Sequence, residues 1–277
     1  MNCNFYPDYK KQRAAVEQLA ATGRFTVLDA GKSLCGRTIF ALKSGGKKPC
    51  AMIAGGFHGT EYLTVLAALK YADGLSKEKS VVIVPCVNPD GTEIAINGFE
   101  SAGRYSKTAV KICGDKNLWK ANARGVDINH NFDACWNEVK RRELDAGICR
   151  PACTRFGGIR PESEPETRAV VRLCRRFCFD RVLALHSQGR EIYWNFKSLA
   201  PKRSLEIAEK MSEASGYTLS SPEAIADGGG FKDWFLLAFR RPGFTAEIGL
   251  GENPLPLSCF EPEYPRVKGL IDAFLPE

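Results

Sequence analysis

"CAMIAGGFHGTEYLTVLAALKYADGL", residues 50–75, joins a β-type run to a helical run through one short turn. Residues 50–56 are apolar and close on two glycines, which marks a buried strand. Residues 61–75 carry helix-forming side chains without a break, so the stretch predicts a strand, a tight turn and a helix. The same alternation continues outward. Short runs rich in Val, Ile, Phe and Ala predict strands at 25–31, 38–44, 81–87, 181–187, 191–196 and 244–249, and helical patterns occupy 163–177, 202–215 and 262–275. Residues 1–23 read as an amphipathic opening segment, and Ser163 with Glu166 three positions later fits a capping box. Strands followed by helices imply an α/β fold: a single three-layer α/β/α domain over residues 1–277, with a mixed, mostly parallel central sheet. In such sheets, sites form in the loops beyond the carboxyl ends of the strands.

Residues 88–160 break the pattern. They are rich in Gly, Asn, Pro and Cys with little periodicity, and they predict functional loops folded over a rigid scaffold.

Composition narrows the function classes. A chain of 277 residues, 44% hydrophobic and 26% charged, can bury a large core. It contains no apolar run near the roughly 20 residues of a membrane span. The opening residues do not resemble a signal peptide, so a cytoplasmic location is expected. The net charge of +7 comes from scattered lysines and arginines and suits a solvated surface, with attraction for acidic substrates second. No basic motif interleaved with aromatics points to nucleic acid. Eleven cysteines suggest reduced thiols; Cys149/Cys153 and Cys174/Cys178 have i, i+4 spacing, which could serve a structural metal, but no histidine lies near them.

The chain has three histidines. His58 follows the strand at 50–56, and His186 ends the apolar part of the strand at 181–187, so both stand where sites form. Glu61, three residues after His58, can direct a carboxylate at the same point as the imidazole. A lone H-x-x-E is weak, since glutamate also favours the positive end of a helix dipole.

The spacing strengthens it. His58, Glu61 and His186, with 124 residues between the last two, and then Glu247 in "FTAEIG" resemble the zinc carboxypeptidase family of metallopeptidases. "GVDINHNFD" (125–133) and "VNPDG" (87–91) are similar to segments of that family. "WKANARGVDIN" (119–129), "LHSQGREIYW" (185–194), "GGGFKDWF" (228–235) and "AEIGLGENPLP" (246–256) resemble its bacterial γ-D-glutamyl-meso-diaminopimelate peptidases, which cut peptidoglycan stem peptides.

The resemblance implies a zinc-carboxypeptidase-like fold and one zinc ion per chain held by His58, Glu61 and His186, with a position left open for hydrolytic chemistry. It implies Glu247 as general base and Asp127 as the residue that orients a ligand histidine. Two residues compete to stabilise the oxyanion: Lys120 aligns better by spacing, whereas Arg124 has the residue type and the fixed fork, and is slightly preferred. Where carboxypeptidases hold a terminal carboxylate with an Asn-Arg pair, this chain has Asn129 and His130, so a strong clamp is missing. Ser187 and Arg190 are further substrate-binding candidates, Arg190 as a carboxylate binder. Phe231 stands where many carboxypeptidases carry a mobile tyrosine, which predicts a site without an assisting phenol. The expected substrate is a peptide derived from peptidoglycan; the alternatives are an ordinary carboxypeptidase and a non-catalytic binding protein on the same fold.

Overall fold

In the strands Ala51–Ala54, Val81–Val84 and Arg181–His186, alternate residues enter two different cores, which fixes the sheet as the middle layer. Ala51, Ile53, Val81, Ile83, Leu183 and Leu185 face one core. Met52, Ala54, Val82, Val84, Val182 and Ala184 face the other. Strands buried on both faces lose the apolar–polar alternation of a half-exposed sheet and read as continuous apolar runs, as these do.

The computed structural model describes residues 3–45 and 48–276. In chain order its main elements are α1 (Tyr9–Ala21), β1 (Phe25–Lys32), β2 (Thr38–Ser44), β3 (Ala51–Ala54), α2 (Tyr62–Gly74), β4 (Val81–Val84), α3 (Pro89–Asn97), α4 (Ser106–Ile112), α5 (Trp136–Asp145), α6 (Pro165–Phe177), β5 (Arg181–His186), β6 (Glu191–Tyr193), α7 (Lys202–Ser215), β7 (Thr218–Ser220), α8 (Phe231–Phe239), β8 (Gly243–Glu247) and α9 (Phe260–Phe274). The strands form one sheet in the order β1-β2-β4-β3-β5-β8-β6-β7. Its centre, β4-β3-β5-β8, is parallel. The flanks bring in antiparallel pairs, so the sheet is mixed as expected. Helices α1, α2, α7 and α9 cover one face, and α6 and α8 the other.

Two local expectations are corrected, and one strand was not foreseen. Residues 88–160 are not plain loops: they contain α3, α4 and α5, and α3 begins with Asn88 accepting from the Gly91 N–H and Pro89 in the first turn. The capping box at 163–166 does not form. Glu164 occupies the cap position without a side-chain cap bond, Ser163 Oγ donates to Glu164 Oε1 at 2.6 Å, and the buried Glu166 accepts from the Leu34 N–H instead. Finally, β7 is too short for its periodicity to register in sequence.

Neither spaced cysteine pair belongs to a metal-ligating cluster among the described residues. The buried Cys174 thiol lies against Met52 Sδ, whereas the exposed Cys178 thiol donates to Arg175 O. Cys149 lies in irregular chain after α5. No helix among the described residues is long and apolar enough to cross a membrane.

Candidate active site

Three adjacent parallel strands deliver the polar centre. His58 and Glu61 come from the turn after β3, His186 is the last residue of β5 and Glu247 the last of β8, with His186 and Glu247 directly paired in register. The turn after β3 is shaped by Gly59, whose absent side chain lets the backbone pass close to its neighbours. A Cβ there would lie 2.3 Å from Gly91 O and 2.6 Å from Trp119 O. This close approach, with the Gly59 N–H bonded to Lys120 O at 3.1 Å, brings the segment carrying Lys120 behind the turn.

His58 Nδ1 is 2.8 Å from Glu61 Oε1, and His186 Nδ1 is 3.0 Å from Glu61 Oε2. One ligating atom from each of the three residues falls within 4.8 Å of the other two. Behind the centre, His58 Nε2 is 3.0 Å from Asp127 Oδ1. Asp127 is itself fixed by the backbone N–H groups of Asn129 and Arg155, at 3.0 and 2.8 Å. Burial opposes a charge on His58, but the flanking Glu61 and Asp127 outweigh it and push its pKa up to about 10. The same contacts overcome burial to hold Asp127 and Glu61 well below the usual carboxylate range. Burial lowers the pKa of His186, and its Nε2 is without a hydrogen-bond partner. The pocket is therefore built around positive charge, and its donors are two imidazoles and one carboxylate. That is the set that holds a catalytic zinc and leaves one position open. The residues present fit the ion.

Glu247 sits on the floor of the cleft, enclosed by protein yet in touch with solvent. Burial first, and then the charge of Glu61, pushes its pKa up to about 8. The cleft has a volume of about 590 Å³ and includes Lys120, Asp127, Asn129, His130 and Ser187 among the expected residues. A hollow of about 660 Å³ beneath α1 is lined instead by groups such as Phe5, Ala15 and Leu19, without a ligating cluster.

Several expected residues sit elsewhere or face away. Arg124 is outside the cleft: its Nε and Nη2 grip the buried Glu164 at 2.9 and 2.7 Å. Of the two candidates it is Lys120 that lines the cleft, its Nζ donating to Glu61 Oε1 at 3.0 Å, so the geometry favours Lys120 over Arg124. Arg190 is also outside, its guanidinium forked onto Glu263 at 2.6 to 3.2 Å. His130 reaches the cleft wall, but its Nδ1 lies 3.3 Å from the buried Glu143. Phe231 is wholly buried among Phe57, Phe132 and Trp234 and cannot stand in for a mobile tyrosine.

A phenol is nonetheless present. Tyr193 lines the cleft and donates to Glu191 Oε2 at 2.7 Å. Glu191 and Tyr193 are alternate residues of β6, with Glu191 opposite Glu247, so a period-2 reading of "EIY" could have found them. Arg155, Glu223 and Asn253 also line the cleft; no sequence signal pointed to them. The cleft carries the carboxyl groups of Glu61, Asp127, Glu191, Glu223 and Glu247 against the cations Lys120 and Arg155. The net positive charge of the chain is therefore not concentrated at the site.

A family model described as zinc carboxypeptidase matches residues 13–264. The chain belongs to the zinc carboxypeptidase family. Its cofactor is zinc, and the enzyme class is that of the zinc metallopeptidases. The chain is 38% identical over 224 residues to gamma-D-glutamyl-L-diamino acid endopeptidase 1 of Lysinibacillus sphaericus, an alignment spanning 78% of this chain and 55% of that longer protein. It is 26% identical over 211 residues to murein peptide amidase A of Escherichia coli, spanning 74% of each. Bovine thrombin-activatable fibrinolysis inhibitor shares the fold, with a TM-score of 0.76 at 20% identity over 98% of this chain and 96% of that one.

Proposed function

We propose that this zinc peptidase hydrolyses the amide bond between γ-D-glutamate and a diamino acid in peptides derived from peptidoglycan. The 38% identity to the Lysinibacillus sphaericus endopeptidase carries the reading, and the wall around Asn129 supports it. Asn129 is followed by a histidine turned toward Glu143, so positions 129 and 130 do not form the Asn-Arg pair that would hold a free carboxylate beside the cut bond.

His58, Glu61 and His186 would hold the zinc, which when bound supplies a Lewis acid for the scissile carbonyl and acidifies water. Asp127 keeps the His58 ring in place by holding Nε2, which leaves Nδ1 for the centre. Glu247 takes a proton from the attacking water and returns it to the leaving amine. Lys120 offers a positive charge to the oxyanion that forms as the carbonyl carbon is attacked. Asn129, whose Oδ1 accepts from the Phe231 N–H at 3.1 Å, offers its amide nitrogen to the substrate. Ser187 is fixed at the cleft edge, its Oγ donating to Asn253 Oδ1 at 2.8 Å.

Mass spectrometry of products from defined stem peptides tests the reading. Cleavage between D-glutamate and the diamino acid is expected; stepwise loss of single carboxyl-terminal residues instead would assign ordinary carboxypeptidase action.

A further inference from the structure

Arg155 is anchored within one side chain of the metal centre. Its backbone N–H donates to Asp127 Oδ2 at 2.8 Å, and the other oxygen of Asp127 holds the His58 ring. To make that bond Arg155 adopts a left-handed conformation, φ 65°, which a non-glycine residue takes only at a cost. Its guanidinium reaches Glu223 Oε2 at 3.4 Å, with the two side chains 44% and 79% exposed. Both residues line the cleft.

Apart from Glu247, already assigned as the base, the other charged groups named in the cleft are closely engaged. Glu61 meets His58, His186 and Lys120, Asp127 meets His58, and Glu191 accepts from the Tyr193 hydroxyl. Arg155 and Glu223 share one long contact open to water, and an exposed pair of that kind contributes little to stability. Each partner can therefore be exchanged for a substrate group at small cost. A cation and an anion side by side match a molecule that carries an anion and a cation on one carbon.

We propose that Arg155 and Glu223 form a subsite for the zwitterionic far end of a diamino dicarboxylic acid, the guanidinium taking its carboxylate and the glutamate its ammonium. The proposal deepens the γ-D-glutamyl–diamino acid reading and rests on it for the class of residue beyond the cut. The planar fork of arginine suits a carboxylate bidentately. A diamino monocarboxylic acid of the lysine type can satisfy Glu223 but leaves Arg155 without its partner. The subsite thus selects diaminopimelate over lysine.

The test uses the zinc-loaded protein carrying E247Q to stop turnover, with D-glutamyl-γ-meso-diaminopimelate and the same dipeptide bearing a carboxamide at the far end. Calorimetric Kd values should favour the carboxylate on the order of 10- to 100-fold. Adding R155Q should bring the two within about threefold, R155K should retain part of the preference, and E223Q should leave it while abolishing discrimination against an acetylated far amine. A carboxylate preference absent from the start, or unchanged by R155Q, overturns the subsite. Hydrolysis of the same peptides by the wild type separates the two claims. Selective binding without cleavage refutes the proposed reaction and leaves the subsite; cleavage without selectivity refutes the subsite and leaves the reaction. Failure to bind either peptide refutes both.

Discussion

Replacing Asp127 by asparagine should damage the metal centre and the fold by separable amounts. Asp127 Oδ1 accepts from His58 Nε2 and the Asn129 N–H, whereas Oδ2 accepts from the Arg155 N–H and, at 3.4 Å, the Thr154 hydroxyl. An amide nitrogen at the first position would face two donors. At the second it would face one backbone donor and a hydroxyl that can rotate to accept, so the variant places its nitrogen there. The Arg155 N–H then loses its acceptor, which costs about 1–3 kcal/mol of stability. His58 keeps a carbonyl acceptor but loses the negative charge that makes its ring a strong donor to the metal, and losses of this kind weaken metal binding about 10- to 100-fold. Zinc Kd measured by chelator competition reads the second effect, and thermal unfolding of the zinc-free protein reads the first. Zinc affinity within about threefold of wild type, with an unchanged Tm, would refute the role of Asp127.

Four more substitutions test the structure. Glu247→Gln should keep zinc yet lower turnover on the order of 10² to 10⁴, because the amide cannot accept a proton, and elemental analysis beside kcat checks both halves. Lys120→Met should reduce kcat by about 10² to 10³, whereas Arg124→Met should leave kcat of the folded enzyme near normal and cost about 1–3 kcal/mol of stability by exposing a gap beside buried Glu164; the reverse pattern would restore Arg124 to the site. Burial, then the charge of Asp90, pushes the Glu166 pKa from 4.5 up to about 8, so the contribution of its neutral form is full below pH 4.5 and lost as pH rises to about 8. Glu166→Gln should therefore gain on wild type across that window, by on the order of a few kcal/mol in urea unfolding at pH 8.5 relative to pH 4.5. A pH-independent difference between the two proteins would contradict this.

The parts legible in sequence were those with a local physical signature. The unit at 50–75 could be read because buried parallel strands must be apolar on both faces, and the following turn needed small residues. His58, Glu61, His186 and Glu247 each end a strand or follow one, and parallel neighbours bring such ends together, but what singles them out in sequence is their joint resemblance to the zinc carboxypeptidases. The errors concern residues whose partners are far away in sequence. Arg124 and Arg190 have the chemistry of substrate binders, but Glu164 and Glu263 claim them, and nothing local shows that these carboxylates need a cation. Phe231 is matched with a mobile tyrosine only by resemblance to carboxypeptidases; the three glycines before it lead into α8, whose first residue fills an aromatic core. Arg155 was invisible because its place depends on a backbone bond to Asp127 across 28 positions of irregular chain.

The most direct measurement compares kcat/KM of the zinc-loaded enzyme for a γ-D-glutamyl–meso-diaminopimelate peptide and an all-L peptide of equal length. A ratio of at least about ten is expected, equivalent to a single charge-assisted contact realised with only one of the two substrates. A ratio at or below one would contradict the assignment to γ-D-glutamyl bonds and favour an ordinary carboxypeptidase.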